Sequence, residues 1–362
     1  MSRSGWWLAS GRGSGGGYLA IEGSRFTRDY RPVIRIPKGV ALSSSVQLES
    51  ATGVVGRSPR ELAWRRFRSN KTGVITLAVA SILILSTAFA PLLRTLFGLD
   101  PRERHNDLLN NQGYPLGGFN GISWSHPLGL EPGIGHDLLA RLLFGARISF
   151  FVALVVTIST VAIGVFVGIL MGYFRGAIDS TLGRFIDFLL AFPAFFMIVA
   201  LSLPMVQRLE ATGLVEGNSA RMAYLVIILI FFGWPYLARI MRSQVLSIRE
   251  RDYILAARAL GASQRRIVFR EILPNLWTVV IVYLSLSLPG YLTAEAVFSF
   301  LGLGVQPPDA TWGLLISDSI KYVMSNPTYF FIPSTSLILV VLTFNLLGDA
   351  VRDALDPRSE VS

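Results

Sequence analysis

Met241 to Asn275 reads MRSQVLSIRERDYILAARALGASQRRIVFREILPN, and it lies between two long apolar segments. It is therefore a loop between membrane spans. Tyr253, Ala256, Ala257 and Leu260 recur at helical spacing and predict a short apolar stripe. Arg251, Arg258, Arg265, Arg266 and Arg270 surround that stripe with positive charge. Gly261 interrupts the helix, since Gly costs about 1 kcal/mol against Ala in a helix interior. Ser263 can cap a second short helix by accepting from an exposed backbone N–H. Pro274 suits the first turn of the next helix, where its missing N–H costs nothing. The expectation is an exposed, basic helix–turn–helix whose small-residue face lets another protein approach closely.

Composition sets the context for this loop. The chain has 362 residues, 52% hydrophobic and 15% charged, well below the roughly 25% charged residues of a soluble domain. A multi-span membrane protein is implied. The net charge is +10, almost all from arginine. These charges fall between apolar runs, which points to membrane orientation rather than nucleic-acid binding. There is no cysteine, so disulfides and thiolate metal sites are excluded.

Six apolar runs follow one another: Thr72 to Leu93, Ile148 to Tyr173, Phe185 to Val206, Ala223 to Met241, Leu276 to Val305 and Phe330 to Leu347. Most match the ~20 residues that a hydrocarbon core requires. Residues 1–56 carry a Gly/Ser run and no sustained periodicity, and are expected to be a flexible extension. Residues 57–110 hold an N-terminal cytoplasmic segment, the first span and the start of an outer loop. Ser58-Pro59-Arg60-Glu61 reads as a helix start. Arg65, Arg66, Arg68 and Lys71 beside the first span place the N-terminus inside. Residues 111–146 form an outer segment, 147–348 a membrane core and 349–362 a cytoplasmic tail. The basic loop then also falls inside, on the same count of spans.

Several features inside the spans are read as packing. Gly164, Gly168 and Gly172 repeat every four residues, which lets membrane helices approach backbone to backbone. Gly233-Trp234-Pro235 predicts a bend, and Pro289-Gly290 a broken middle in the fifth span. Asp187 is expected to reach the interface or to pair with Arg184. His126 and His136 sit in the outer segment and are read as loop-packing residues. Glu295, a carboxylate within a span, is a candidate either to line a pathway or to pair with a neighbouring helix.

The loop resembles the cytoplasmic coupling loop of ABC-importer permeases. That pattern is Glu-Ala-Ala, three residues, Gly, nine residues, Ile-x-Leu-Pro. Ala256, Ala257, Gly261, Leu273 and Pro274 stand at the matching positions, with Leu255 in place of Glu and Glu271 in place of Ile. His126-Pro127-Leu128-Gly129, then Gly135-His136-Asp137 and a Leu-rich run into Gly145-Ala146-Arg147, resemble the C-type permease of the dipeptide/oligopeptide branch. Leu130-Glu131 replace the usual Thr-Asp there, and His136 the usual Arg. Ser299 to Pro308, Trp312-Gly313 and the closing Gly348 to Arg358 resemble the same branch.

The resemblance runs from about residue 58 to the end. It implies an all-α, polytopic membrane protein with six transmembrane helices and the type I ABC importer permease fold. It implies import of di- or oligopeptides, or of nickel complexes, glutathione or another small solute. The partners implied are a second homologous permease, two ABC ATPase subunits, an extracytoplasmic substrate-binding protein and the lipid bilayer. Tyr253, Ala256, Ala257, Arg258, Gly261, Leu273 and Pro274 would form the ATPase-coupling loop. ATP and Mg would be used by the partner subunits, because this chain has no Gly-x-x-x-x-Gly-Lys-Ser/Thr phosphate loop. No catalytic, cofactor or metal residues are assigned. A secondary transporter would need internal repeats and midplane ion ligands instead.

Overall fold

A computed structural model describes residues 59–356. The extension expected over residues 1–56 lies outside these residues, as does Ser58. Helix α1 (Pro59–Ser69) begins at the proline, with Glu61 in its first turn and Arg66 and Arg68 in its last. Those charges oppose the helix dipole at both ends. Asn70 then caps α2 (Lys71–Ala88) by accepting from the Gly73 N–H at 3.1 Å. The first span is shorter than its apolar run. The chain breaks at Phe89 and restarts as α3 (Ala90–Phe97), with Pro91 in its first turn.

The second span is longer than hydropathy predicts. Helix α4 (Leu138–Phe174) has 37 residues, about 55 Å at 1.5 Å per residue. Asp137 caps it by accepting from the Ala140 N–H at 2.8 Å. The stretch between the second and third apolar runs is itself helical: α5 (Gly176–Ala191) follows at once. Phe192-Pro193 separates α5 from α6 (Ala194–Ala211), so the third apolar run is two helices. Only the second of these is long and apolar enough to cross a membrane. Helix α7 (Gly217–Arg249) runs unbroken through Pro235. The remaining helices are α8 (Asp252–Ala259), the turn α9 (Gln264–Arg266), α10 (Leu273–Phe300), α11 (Trp312–Ile320) and α12 (Pro327–Leu355). Helix α10 is also continuous, through Pro289. Among the described residues six helices meet the length and hydropathy of a span, and no strand is present.

The glycine repeat decides how the two longest helices pack. A Cβ on Gly164 would meet Leu237, on Gly168 Met241 and on Gly172 Val245, each at 2.9 Å or closer. Residue numbers rise together on both helices, so α4 and α7 run in the same direction. That is what second and fourth spans of one chain must do. Contacts this close bring dispersion into play where lipid offers no hydrophobic drive for helix pairing.

Ion pairs tie α5 to α7. Asp179 of α5 accepts from Arg242 of α7 through both carboxylate oxygens, one at 2.7 Å. Asp187 pairs with Arg239 of α7, not with Arg184. On the opposite side, the outer segment is pinned by buried polar contacts. His126 Nδ1 lies 2.7 Å from Asp137, and His136 Nδ1 lies 2.9 Å from Glu131. Glu131 also accepts from the Tyr329 hydroxyl at 2.7 Å and sits 3.5 Å from the Arg141 guanidinium. The two histidines therefore serve separate carboxylates.

Candidate functional site: the basic loop between α7 and α10

Helix α8 ends because of Gly261. The Gly261 N–H donates to the Arg258 carbonyl at 2.9 Å, and the Ala262 N–H to the Ala257 carbonyl at 3.0 Å. This pair of bonds is a Schellman cap, which needs a left-handed residue after the helix. Gly261 supplies it with φ +80°. Ser263 then accepts from the Arg266 N–H at 3.4 Å and starts α9.

The second helix is not a separate short one. After α9 the chain forms a π-helical turn, Ile267–Ile272, and passes directly into α10. Pro274 explains the widened turn, because a proline ring clashes with the carbonyl four residues back and offers that carbonyl no N–H. The side chain of Asn275 donates to the neighbouring Glu271 carbonyl at 2.6 Å. The fifth span therefore reaches back to Gln264, and Pro274 lies inside a continuous helical rod.

Burial separates two faces of the loop. Ile254, Ile267, Ile272 and Leu276 are each at most 1% exposed, in one apolar cluster with Met241, Val245 and Ile248 of α7 and Tyr173 of α4. The loop is thus continuous with the core of the spans. The predicted stripe faces the other way. Tyr253 and Ala256 are exposed, Ala257, Arg258 and Leu273 half-buried, Pro274 exposed, and Leu260 is 88% exposed. Leu255 and Phe269 are also exposed. Large apolar side chains held outward on a short, rigid helix form a surface suited to a protein partner.

Arginines frame this surface. The guanidiniums of Arg249 and Arg258 lie 5.7 Å and 5.4 Å from the centre of the Tyr173 ring, and Arg249 also donates to the Tyr173 carbonyl. A cavity of about 380 Å³ opens beside them, against Ala262, Gln264 and Ile267. Arg175 pairs with Glu250 at the end of α7. Cations at the C-terminal ends of α4, α7 and α8 complement the helix dipoles there.

Glu295 is placed elsewhere. It is 1% exposed within α10 and accepts from Ser299 Oγ, one turn along, at 2.6 Å. Ser149 of α4 and Thr311 are its other polar neighbours, so in this structure it faces α4 rather than open solvent. The buried group of Glu131, His136, Arg141 and Tyr329 was not legible as a unit, since Tyr329 is 198 residues from Glu131. The one signal was that Glu131 and His136 both depart from the branch pattern. The structure shows that these two departures touch.

Residues 164–361 match the model for the binding-protein-dependent transport system inner membrane component. Residues 58–112 match the N-terminal TM domain of oligopeptide transport permease C. The oligopeptide transport system permease protein OppC of Mycobacterium tuberculosis (strain ATCC 25618 / H37Rv) is 36% identical, over 83% of this chain and 96% of the relative. The dipeptide transport system permease protein DppC of Alkalihalophilus pseudofirmus is 32% identical, over 83% of this chain and 90% of the relative. The glutathione transport system permease protein GsiD of Pectobacterium atrosepticum is 32% identical, over 83% and 92%.

Proposed function

Because the chain belongs to the family of binding-protein-dependent transport system inner membrane components, and is a multi-pass ABC-importer permease subunit, we propose that it forms half of a translocation pathway for di- or oligopeptides. A second homologous permease supplies the other half, and an extracytoplasmic binding protein delivers the substrate. Two ATPase subunits bind beneath and use ATP and Mg. The N- and C-termini and the loop Arg251 to Arg270 then face the cytoplasm, in keeping with the seven arginines between Arg242 and Arg270.

The observation that carries this reading is the two-faced loop. Its inner face shares one apolar cluster with α4, α7 and α10, while Tyr253, Leu255 and Leu260 point outward. A partner that grips the outer face moves the spans as a rigid lever. ATP binding closes the ATPase pair, and that closure reaches the pathway through the loop. Gly261 sets the angle of the lever, Ala256 and Ala257 permit close contact, and the rod from Gln264 through Leu273 and Pro274 transmits the motion. Leu255 stands where the family pattern has Glu, so the grip here is apolar at that point.

The test is a mild-detergent pull-down of the tagged chain from its native membrane, read by mass spectrometry. Recovery of a homologous permease, P-loop ATPases and a binding protein is expected, with a peptide retained by the binding protein. Glutathione on that binding protein would instead select the reading that the GsiD relative favours. Recovery of the chain alone after gentle crosslinking would overturn the importer reading.

A further inference from the structure

At the end of α4 remote from the loop, Arg94 of α3, Arg102 and Arg147 of α4 line a cavity of about 630 Å³. Two of the three are already neutralised: Arg94 pairs with Asp100, and Arg102 with Asp309 at 2.7 Å. Arg147 has no carboxylate at ion-pair distance among the described residues. Its guanidinium lies instead 5.8 Å from the centre of the Phe144 ring. The cavity therefore carries one uncompensated positive charge, and Phe144, Ile148, Phe151 and Met222 supply apolar parts of its wall.

Position along the helix relates this charge to the bilayer. Arg147 precedes Tyr173, which borders the basic loop, by 26 residues, about 39 Å of helix. That exceeds the ~30 Å hydrocarbon core, so Arg147 stands at the headgroup level of the opposite leaflet. Phe151, Leu154 and Ile158 follow at steps of four, three and four residues. They share the face of Arg147 and are each at least 50% exposed. The stripe from Arg147 to Ile158 covers about 16 Å of helix, roughly the depth of one leaflet. Leu92, Leu96 and Phe97 of α3 are exposed as well.

We propose that this cavity binds the headgroup of an anionic phospholipid, with an acyl chain lying along Phe151, Leu154 and Ile158. A protein partner would have to present a carboxylate and a long apolar rod in the same register. A lipid carries an anionic phosphate and such a rod in one molecule. Arg147 donates to the phosphate, where a planar fork of N–H groups suits two oxygens at once. The proposal concerns the leaflet remote from the coupling loop and does not depend on the substrate.

Native mass spectrometry of the full chain in mild detergent tests it, with dioleoyl phosphatidylglycerol or dioleoyl phosphatidylcholine added in turn. The wild type should take up phosphatidylglycerol in about fivefold preference, the scale of one interfacial arginine. Arg147→Gln should lose most of that preference, and Arg147→Lys, which keeps the charge but not the planar fork, should keep part of it. Equal uptake of the two lipids by the wild type, or an undiminished preference in Arg147→Gln, overturns the proposal. Inorganic phosphate that binds without any lipid preference would make this a free-anion pocket and overturns it too. Should Arg147→Gln fail to accumulate, a photocrosslinker at Leu154 decides. Capture of labelled phosphatidylglycerol in vesicles supports the proposal, and capture of a second permease chain overturns it.

Discussion

Substitutions at Gly261 separate two reasons for a glycine in the proposed coupling loop. Gly261 has φ +80°, and beyond its chain neighbours no heavy atom lies within 4 Å of where its Cβ would stand. An added side chain therefore meets no clash within this chain, and its cost is backbone strain alone. For an ordinary L residue that strain is about 1–2 kcal/mol, a factor of roughly 5–30 in the equilibrium between the capped turn and its alternatives. Asn visits this region with least penalty, Ala pays the ordinary cost and a β-branched Val pays most. Substrate-stimulated ATP hydrolysis by the reconstituted complex should then fall in the order Gly, Asn, Ala, Val. Membrane accumulation of the chain should stay unchanged, since the turn lies outside the spans. A steric requirement against the ATPase would give a different order, because Asn is larger than Ala. Activity that tracks side-chain size, with Asn below Ala, would refute the conformational account, as would full coupling in Gly261→Val.

Other outcomes follow from the same geometry. Leu260→Glu, at an 88% exposed position, should alter the stability of the chain by no more than about 0.5 kcal/mol while abolishing co-purification of the ATPase subunits. Gly168→Ala would place a Cβ 2.4 Å from Met241 Cβ and 2.8 Å from the Ala238 carbonyl, so thermal unfolding in detergent should show about 1–3 kcal/mol of destabilisation. Gly183→Ala, whose nearest contact is Met171 Cε at 3.7 Å, is the neutral control. Glu131→Ala leaves Arg141, itself 1% exposed, without its carboxylate and should cost about 3–5 kcal/mol.

Acid should reveal Glu131 in a second way. Burial pushes its carboxyl up, but the His136 hydrogen bond, the Arg141 charge and the Tyr329 hydrogen bond outweigh burial and hold it below the ordinary value of 4.5. A carboxylate lowered by folding contributes stability above its unfolded value and loses it as pH falls through the folded one. Protease resistance of the outer segment should therefore drop as pH falls below 4.5, and Glu131→Gln should blunt that dependence. An identical acid response in wild type and Glu131→Gln would show that this group is not responsible.

What the sequence determined by itself is the part that rests on local chemistry. Apolar runs of sufficient length specify six spans, because backbone polar groups in hydrocarbon must be satisfied within a helix. The start of α1 at Pro59, the turn at Gly261 and the cap at Ser263 follow from the φ and hydrogen-bond habits of single residues. The frame Ala256, Ala257, Gly261, Leu273 and Pro274 was legible as a spacing that resembles the family pattern, and the coupling role proposed for it rests on that resemblance. Hydropathy did not set helix lengths. It reports the thickness of the bilayer, whereas α4 extends beyond it because Asp137 starts the helix at Leu138, well before the apolar run at Ile148.

Tertiary structure decided which faces and charges meet. The face of the loop that is buried rests on Ile254, Ile267, Ile272 and Leu276, whose spacing fits no single helical period. The left-handed turn at Gly261 and the π-helical turn before Pro274 each shift the phase, so periodicity could not identify that face. Asp187 found Arg239 across two helices instead of its neighbour Arg184. Glu131 found Tyr329, 198 residues away. Such pairings join residues far apart in the chain, and only the relative placement of packed helices determines them.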